Sequence, residues 1–389
     1  MTTTVDEHAA LIRSLVRVER TTEVVPLADA LDRVTAVVVP SPVDLPLFRN
    51  SQMDGFAVIT SDLPGILPIV GEVAARPGTP APLLPGTTVR IMTGAPMPEG
   101  ADAVVPIEET LIEVDLAGFA SRRTPGEFVR ERGSDLREGD TLLPAATRLG
   151  SRHLAVLAAA GLATIEVLVP VRVAVITTGA ELVDAGSATQ PGQIFDTNAV
   201  ALVAAVHAAG ASVSFAARVT DDVATMAAAL REAVASADLV ITSGGISMGE
   251  YEVVRETLEP RGAVVTTIAM QPGGPQATAV VDGVPVICFP GNPVSTQVSF
   301  EIFLAPLLRE LAGLPAASRE SRTLVGDVNS VAGKRQFLRG RAGAGDVVEI
   351  VGDASSHLVA GLAASDLLID IPAETTMLRE GEVVETIAL

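Results

Sequence analysis

Three carboxylates, Glu181, Asp221 (or its neighbour Asp222) and Glu252, stand just beyond apolar, strand-like runs. Each is accompanied by small or glycine-bearing segments: Thr177-Thr178-Gly179-Ala180-Glu181, Thr220-Asp221-Asp222, Ser243-Gly244-Gly245-Ile246-Ser247, and Pro290-Gly291-Asn292-Pro293-Val294-Ser295. Glycines at the carboxyl end of a strand, followed by a helix, leave backbone N–H groups free to receive an anion. Carboxylates at the same rim are hard oxygen ligands suited to Mg²⁺ that also bridges a phosphate. Simpler readings stand beside these. A Gly-Gly-x-Ser segment also makes a tight turn that binds nothing, Asp221 and Asp222 are natural helix N-caps, and Glu181 and Glu252 suit solvated helix starts.

The elements that must position these groups are legible in the periodicity. Runs at Val171–Thr177, Ser212–Val219, Leu239–Thr242, Ala263–Ala269 and Val284–Phe289 read as strands. Helical spacing at Thr197–Ala209, Val223–Ser236, Val253–Glu259 and Val294–Leu311 separates or follows them. Alternation of this kind predicts a parallel sheet covered on both faces, with its ligands outside the carboxyl ends of the strands. Upstream, Thr4-Val5-Asp6-Glu7 is a capping-box pattern heading a first helix, and a second fits Ser151–Ala160 before Gly161. The second is expected to pack back onto the first. Pro and Gly are dense from Pro40 to about Gly100, predicting a β-rich insert between the halves of a discontinuous first domain. After Ser321 helix signals vanish, and Gln336–Arg341, Val347–Val351 and Leu367–Ile371 suggest a small β-barrel or sandwich. The expected division is 1–41 with 141–170, then 42–140, 171–315 and 320–389.

Composition narrows the function. With 47 acidic against 27 basic residues the net charge is −20, which argues against a nucleic-acid footprint. No apolar run reaches the roughly 18 residues that span a bilayer, and Asp6 and Glu7 fall where a signal peptide would carry positive charge. The one cysteine, Cys288, excludes an internal disulfide and reads as a small core residue. A cytoplasmic protein is expected. Lys334 is the single lysine, so chemistry that needs a lysine has one candidate.

At the level of longer motifs the chain resembles the molybdopterin molybdenumtransferases, the family of MoeA and the gephyrin E-domain. Asn50-Ser51-Gln52-Met53-Asp54-Gly55-Phe56-Ala57 is similar to that family's Asn-Ser-x-Met-Asp-Gly-aromatic-Ala signature. Further blocks follow in order: Gly71–Ala75, Arg90–Pro96, Gly100–Val105, Arg132–Asp135, Gly192–Ile194 with Asp196 and Asn198, Gly291–Ser295, Phe337–Gly340 and Ser356-His357. The resemblance covers nearly the whole chain. It implies a multi-domain α/β protein: a central MogA-like (MoCF-type) α/β domain with a parallel sheet, a β-rich insert and a C-terminal β-barrel, assembled as an elongated homodimer. It implies insertion of molybdate into adenylylated molybdopterin with release of AMP and help from Mg²⁺, with molybdopterin adenylyltransferase as the pathway partner. Ser243, Gly244, Gly245 and Ser247 would hold the pterin-side phosphate, with Thr178, Gly179, Pro275, Asn292 and Ser295 completing the pocket. Glu181, Asp221 and Glu252 would hold or orient the metal. Arg339 and Ser356 would bind molybdate, a tetrahedral dianion suited to a guanidinium fork and a hydroxyl. Asp54, Thr93 and Asp135 would reach in from the partner protomer.

The chain departs from the family at a few charged positions. Where the family carries Lys-Pro-Gly-Lys-Pro, this chain has Gln271-Pro272-Gly273-Gly274-Pro275, so both lysine positions are neutral. Glu252 replaces an Asp, and Ala180 replaces another. Each lost charge-assisted bond to a dianion costs ~1.5–3 kcal/mol, so two would weaken oxyanion binding by roughly two to four powers of ten without compensation. Lys334, upstream of Arg339, is the candidate substitute. An eroded lysine pair also allows a second reading, a gephyrin-like dimeric scaffold that docks a short peptide of a membrane-receptor or cytoskeletal protein.

Overall fold

The computed structural model describes residues 3–246 and 252–389. Its first helix, Val5–Leu15, begins at the expected capping box: Thr4 Oγ1 accepts from Glu7 N at 3.2 Å, and a Glu7 carboxylate oxygen accepts from Thr4 N at 2.8 Å. Val5, His8 and Ile12 form its buried stripe. That stripe faces the α/β core, with the His8 ring edge-on to Phe303 at 4.9 Å.

The second helix, Ser151–Ala159, does not pack back onto the first, contrary to expectation. Its buried Leu157 joins a separate small core with Val25, Val39, Leu143 and Leu149. Strand pairing is the reason. Thr22–Pro26 pairs antiparallel with Thr164–Leu168, and Val39–Pro40 with Thr141–Leu143, so both sides of the insert meet around the second helix. The first helix covers the larger α/β core instead.

The insert contains a six-stranded sheet with small apolar clusters around Phe56 and around Ile91. Asp54-Gly55 reads as a turn pair, but Gly55 opens the strand Gly55–Val58. A Cβ there would lie 2.0 Å from the Val105 carbonyl oxygen of the neighbouring strand, so close strand pairing requires the glycine.

In the α/β region the strands Ser212–Val219, Arg172–Thr178, Leu239–Ser243 and Val284–Phe289 lie in that order and run parallel. Side chains alternate between two cores, Val173 and Val175 facing one and Ala174 and Ile176 the other. The parallel pattern then ends. Pro275–Val281 and Val264–Thr267 extend the sheet antiparallel, and the first of these was not among the expected strands. A two-residue hairpin at Asp282-Gly283, with φ of +50° and +85°, reverses the chain.

The expected helix over 294–311 is one continuous course: α-helix Pro293–Ser299, a π segment Phe300–Leu304 and α-helix Ala305–Leu311. Pro306 has no N–H for the Ile302 carbonyl, which disrupts the i→i−4 ladder there.

The C-terminal region closes a five-stranded barrel from Arg319–Val325, Arg335–Ala342, Val347–Ile350, Leu367–Ile371 and Val383–Ala388. Helix signals do not wholly vanish, since Val359–Ala363 forms a short helix. Met270–Gln271 adds a parallel edge strand against Arg335–Gln336, which stitches the barrel to the α/β region. No helix among the described residues is long and apolar enough to cross a membrane.

Candidate functional site

The carboxyl ends of the parallel strands open into a cleft of about 470 Å³. Thr178, Gly179, Glu181, Asp221, Gly244, Gly245, Glu252, Pro275 and Asn292 all line it. Ser247 lies outside the described residues. The floor is made by backbone packed on backbone. A Cβ on Gly244 (φ +94°) would sit 2.7 Å from Thr178 Oγ1 and 2.8 Å from the Thr178 carbonyl oxygen, and one on Gly291 would sit 3.2 Å from Gly244 Cα. No larger residue fits at Gly244 without moving the adjacent strand end. A short parallel pair, Leu182–Val183 with Ile194–Phe195, forms an apolar lip.

The two adjacent aspartates separate in role. Asp222 caps the helix Val223–Ser236, accepting from Thr225 N at 2.7 Å and Thr225 Oγ1 at 2.6 Å, and these bonds hold its carboxyl below the usual range. Asp221 faces the cleft, where one carboxylate oxygen accepts from Ala180 N at 3.1 Å. Glu181 folds back over Gly179, its carboxylate within 2.6 Å of where a Gly179 Cβ would lie. Glu252 heads the helix Val253–Leu258. The expected metal triad is not a preformed cage: among the described residues no three His, Cys, Asp or Glu side chains gather closely enough to hold an ion by themselves. The carboxylates line one cleft from three different loops.

Other predicted site residues lie off the cleft lining. Ser243 is buried, and its Oγ lies 2.8 Å from Asn198 Nδ2, 3.1 Å from Thr296 Oγ1 and 3.2 Å from the Pro290 carbonyl oxygen. Its hydroxyl is committed to the protein. Ser295 is buried in the helix Pro293–Ser299. Arg339, expected to offer a fork to molybdate, is 2% exposed and turned onto its own domain. Its Nε donates to Val351 O at 3.3 Å, Nη1 to Ser355 O at 2.9 Å, and Nη2 to Asp353 O. Burial pulls its pKa below the usual guanidinium value, with Asp353 working the other way. The loop that Arg339 braces ends at Ser356, whose carbonyl accepts from Val294 N at 3.2 Å, beside Asn292 and Pro293 of the cleft.

Asp54 and Thr93 lie together in the insert. Asp54 Oδ1 accepts from Thr93 N at 2.6 Å and Thr93 Oγ1 at 2.8 Å, which lowers the Asp54 carboxyl pKa. Asp135 is exposed, and its backbone N–H donates to Leu45 O. None of these three lines the cleft within a single chain.

At the neutral lysine positions, Gln271 Oε1 accepts from Gln336 Nε2 at 3.0 Å, and the Gly274 carbonyl accepts from Ile268 N. Lys334 is exposed in a turn and does not line the cleft. Cys288 is wholly buried, which pushes its thiol up to about 12 and leaves it an inert core residue.

Sequence reasoning assigned no role to two residues at this site, although both stood in a quoted motif. Asp196 caps the helix Thr197–Ala208, accepting from Ala199 N at 3.0 Å and from Thr177 Oγ1 at 2.5 Å. Asn198 donates to both glycine-bearing loops. The available signal was the spacing Asp-x-Asn at a helix start, where the first residue caps and the third points back at the strand ends.

Comparison with known proteins agrees with this arrangement along the whole chain. Residues 3–161 match the family model described as the MoeA N-terminal region (domain I and II), 174–310 the probable molybdopterin binding domain, and 322–389 the MoeA C-terminal region (domain IV). A Mycobacterium tuberculosis protein named Molybdopterin molybdenumtransferase 2 is 40% identical over 395 residues, covering 97% of each chain. A Nostoc protein named Molybdopterin molybdenumtransferase is 38% identical across 76% of this chain and 71% of its own. Among solved structures, the molybdopterin biosynthesis moea protein from Pyrococcus horikosii superposes with a TM-score of 0.80 at 31% identity, covering 100% of this chain and 99% of that one. The chain therefore belongs to the MoeA family of molybdopterin molybdenumtransferases.

Proposed function

We propose that this protein joins molybdate to the dithiolene of adenylylated molybdopterin and releases AMP. The observation that carries the reading is one cleft, at the strand ends of the probable molybdopterin binding domain, lined by glycine-loop backbone and by Glu181, Asp221 and Glu252. In this reading the Gly245-Ile246 backbone and Ser247 receive the pterin-side phosphate, Gly244, whose N–H is held by the Phe289 carbonyl, sets the close approach of the loop, and Thr178, Gly179, Pro275 and Asn292 shape the pocket.

Mg²⁺ fits this donor set. It is commonly held by one or two carboxylates together with substrate phosphate oxygens rather than by an all-protein cage. Glu181, Asp221 and Glu252 would hold or orient it together with substrate phosphate oxygens, and when bound it would screen the pyrophosphate charge. Asp221 is oriented for this by the Ala180 N–H. Ser356, on the loop braced by Arg339, meets molybdate at the cleft rim near Asn292. Ser243 and Ser295 act from beneath, as supports of the pocket.

Asp54, Thr93 and Asp135 approach from the partner protomer of an elongated homodimer. The chain divides as 1–41 with 141–170, 42–140, 171–315 and 320–389, and it works in the cytoplasm. Its substrate must come from an enzyme that adenylylates molybdopterin. No specific observation favours the peptide-docking scaffold.

The test is direct. Purified protein given adenylylated molybdopterin, Mg²⁺ and molybdate should release AMP and yield active cofactor. No release at millimolar molybdate would remove the reading.

A further inference from the structure

Asn198 sits in the first turn of the helix Thr197–Ala208, 8% exposed and part of the cleft wall. Its side-chain amide donates twice: Nδ2 lies 2.8 Å from Ser243 Oγ and 2.7 Å from the Gly291 carbonyl oxygen. These acceptors stand at the ends of two different strands: Ser243 closes Leu239–Ser243, and Gly291 lies in the loop just past Val284–Phe289. The loops touch backbone to backbone at Gly244 and Gly291, and Gly244 N also donates to Phe289 O at 3.1 Å. The amide orientation follows from its surroundings, since the flipped form would set Oδ1 against the Gly291 carbonyl. The turn carrying Asn198 is itself held by Asp196, which accepts from Thr177 Oγ1 on the first parallel strand. One Asp-x-Asn segment thus ties three strand ends together.

We propose that Asn198 is a positioning residue for the pterin substrate: its amide holds the 243–246 and 290–292 loops at the spacing that binds the phosphorylated pterin. The inference rests on the functional reading above and adds a residue to it. Both donors are needed. A carboxylate of the same shape could accept from the Ser243 hydroxyl but would repel the Gly291 carbonyl, whereas alanine removes the tie altogether and leaves the carbonyl of exposed Gly291 to water. Ser243 retains Pro290 O and Thr296 Oγ1 in either case. The fold should therefore survive both substitutions while the two loops loosen.

The experiment uses full-length Asn198→Asp and Asn198→Ala proteins. Amide hydrogen exchange, measured without substrate, should rise about tenfold in peptides covering 239–246 and 286–292, with barrel and insert peptides unchanged. In turnover, KM for adenylylated molybdopterin should rise about tenfold in both variants, with kcat within about twofold and KM for molybdate unchanged. Unchanged exchange in both loops overturns the clamp, whatever the substrate. Raised exchange with an unchanged KM, or an equal rise in both KM values, overturns the positioning role. Wild-type protein that releases no AMP defeats the functional reading before any variant is made, and takes the substrate role with it.

Discussion

Adjacent residues of one type divide their labour at Asp221-Asp222, and the division has a simple cause. The residue immediately before the helix Val223–Ser236 has the backbone geometry to cap it, so Asp222 turns to Thr225 and Asp221 is left at the strand end. Sequence alone could not order these two roles, because either aspartate can cap a helix that starts one residue earlier or later. Asp221→Asn keeps an acceptor for Ala180 N but removes charge from the cleft. AMP release should fall at least about a hundredfold, with Tm unchanged. Asp222→Ala should do the reverse, lowering Tm by about 2 °C with kcat retained. Steady-state kinetics and calorimetry on both variants check the assignment, and interchanged phenotypes would reverse it. Arg339 carries the complementary lesson. A guanidinium in a family motif looks like an anion ligand, but three backbone carbonyls of the 351–355 loop take three of its five N–H donors, a tertiary fact that no spacing encodes.

Among the elements, the parallel strands and their helices were readable because continuous apolar runs bounded by Gly and Asp allow few alternatives. The antiparallel extension was hidden by expectation rather than by sequence. Asp282-Gly283 between two apolar runs is a hairpin signal, yet the preceding α/β alternation argued for another crossover. Packing of the first helix was not readable at all, since its capping box and stripe specify a helix but not the core it covers. His8 makes that packing testable. It is fully buried against Phe303, and burial lowers its pKa from 6.5 to about 4, with the nearby Gln276 side chain acting the other way. The folded state therefore keeps the ring neutral while the unfolded chain takes up a proton below about pH 6.5. Stability from this group is full above pH 6.5 and is lost as pH falls toward 4. Between pH 7.5 and 5 the wild type should lose about 2 kcal/mol through this residue. His8→Gln should lose that much less over the same interval, as measured by urea denaturation. Parallel curves for the two proteins would show that His8 titrates normally and is not enclosed.

In the whole molecule, residues assigned to one reaction lie in separate places. The cleft carboxylates belong to the α/β region, whereas Asp54, Thr93 and Asp135 sit on the insert and do not line the cleft of their own chain. Family resemblance supplied both sets, and a single chain brings only the first to the cleft. If each site is built across a homodimer, two inactive variants should complement one another. Asp54→Ala mixed with Asp221→Asn, unfolded and refolded together at equal amounts, should regain about a quarter of wild-type activity, because half the dimers are mixed and each has one intact site. The two variants refolded apart should stay inactive. No recovery in a mixture shown by native mass spectrometry to contain mixed dimers would place all catalytic groups in one protomer. The net charge of −20 bears on the same scale, since it disfavours anionic ligands except where local donors outweigh it. In the proposed reading, backbone amides of the 245–247 segment would supply such donors without lysine.

The most direct measurement is a crystal structure with adenylylated molybdopterin and tungstate soaked in as an inert oxyanion. The pterin-side phosphate is expected against the Gly244–Ile246 backbone, the pyrophosphate beside Glu181 and Asp221, and tungstate near Ser356. Ligand density elsewhere, with the strand-end cleft empty, would contradict this placement.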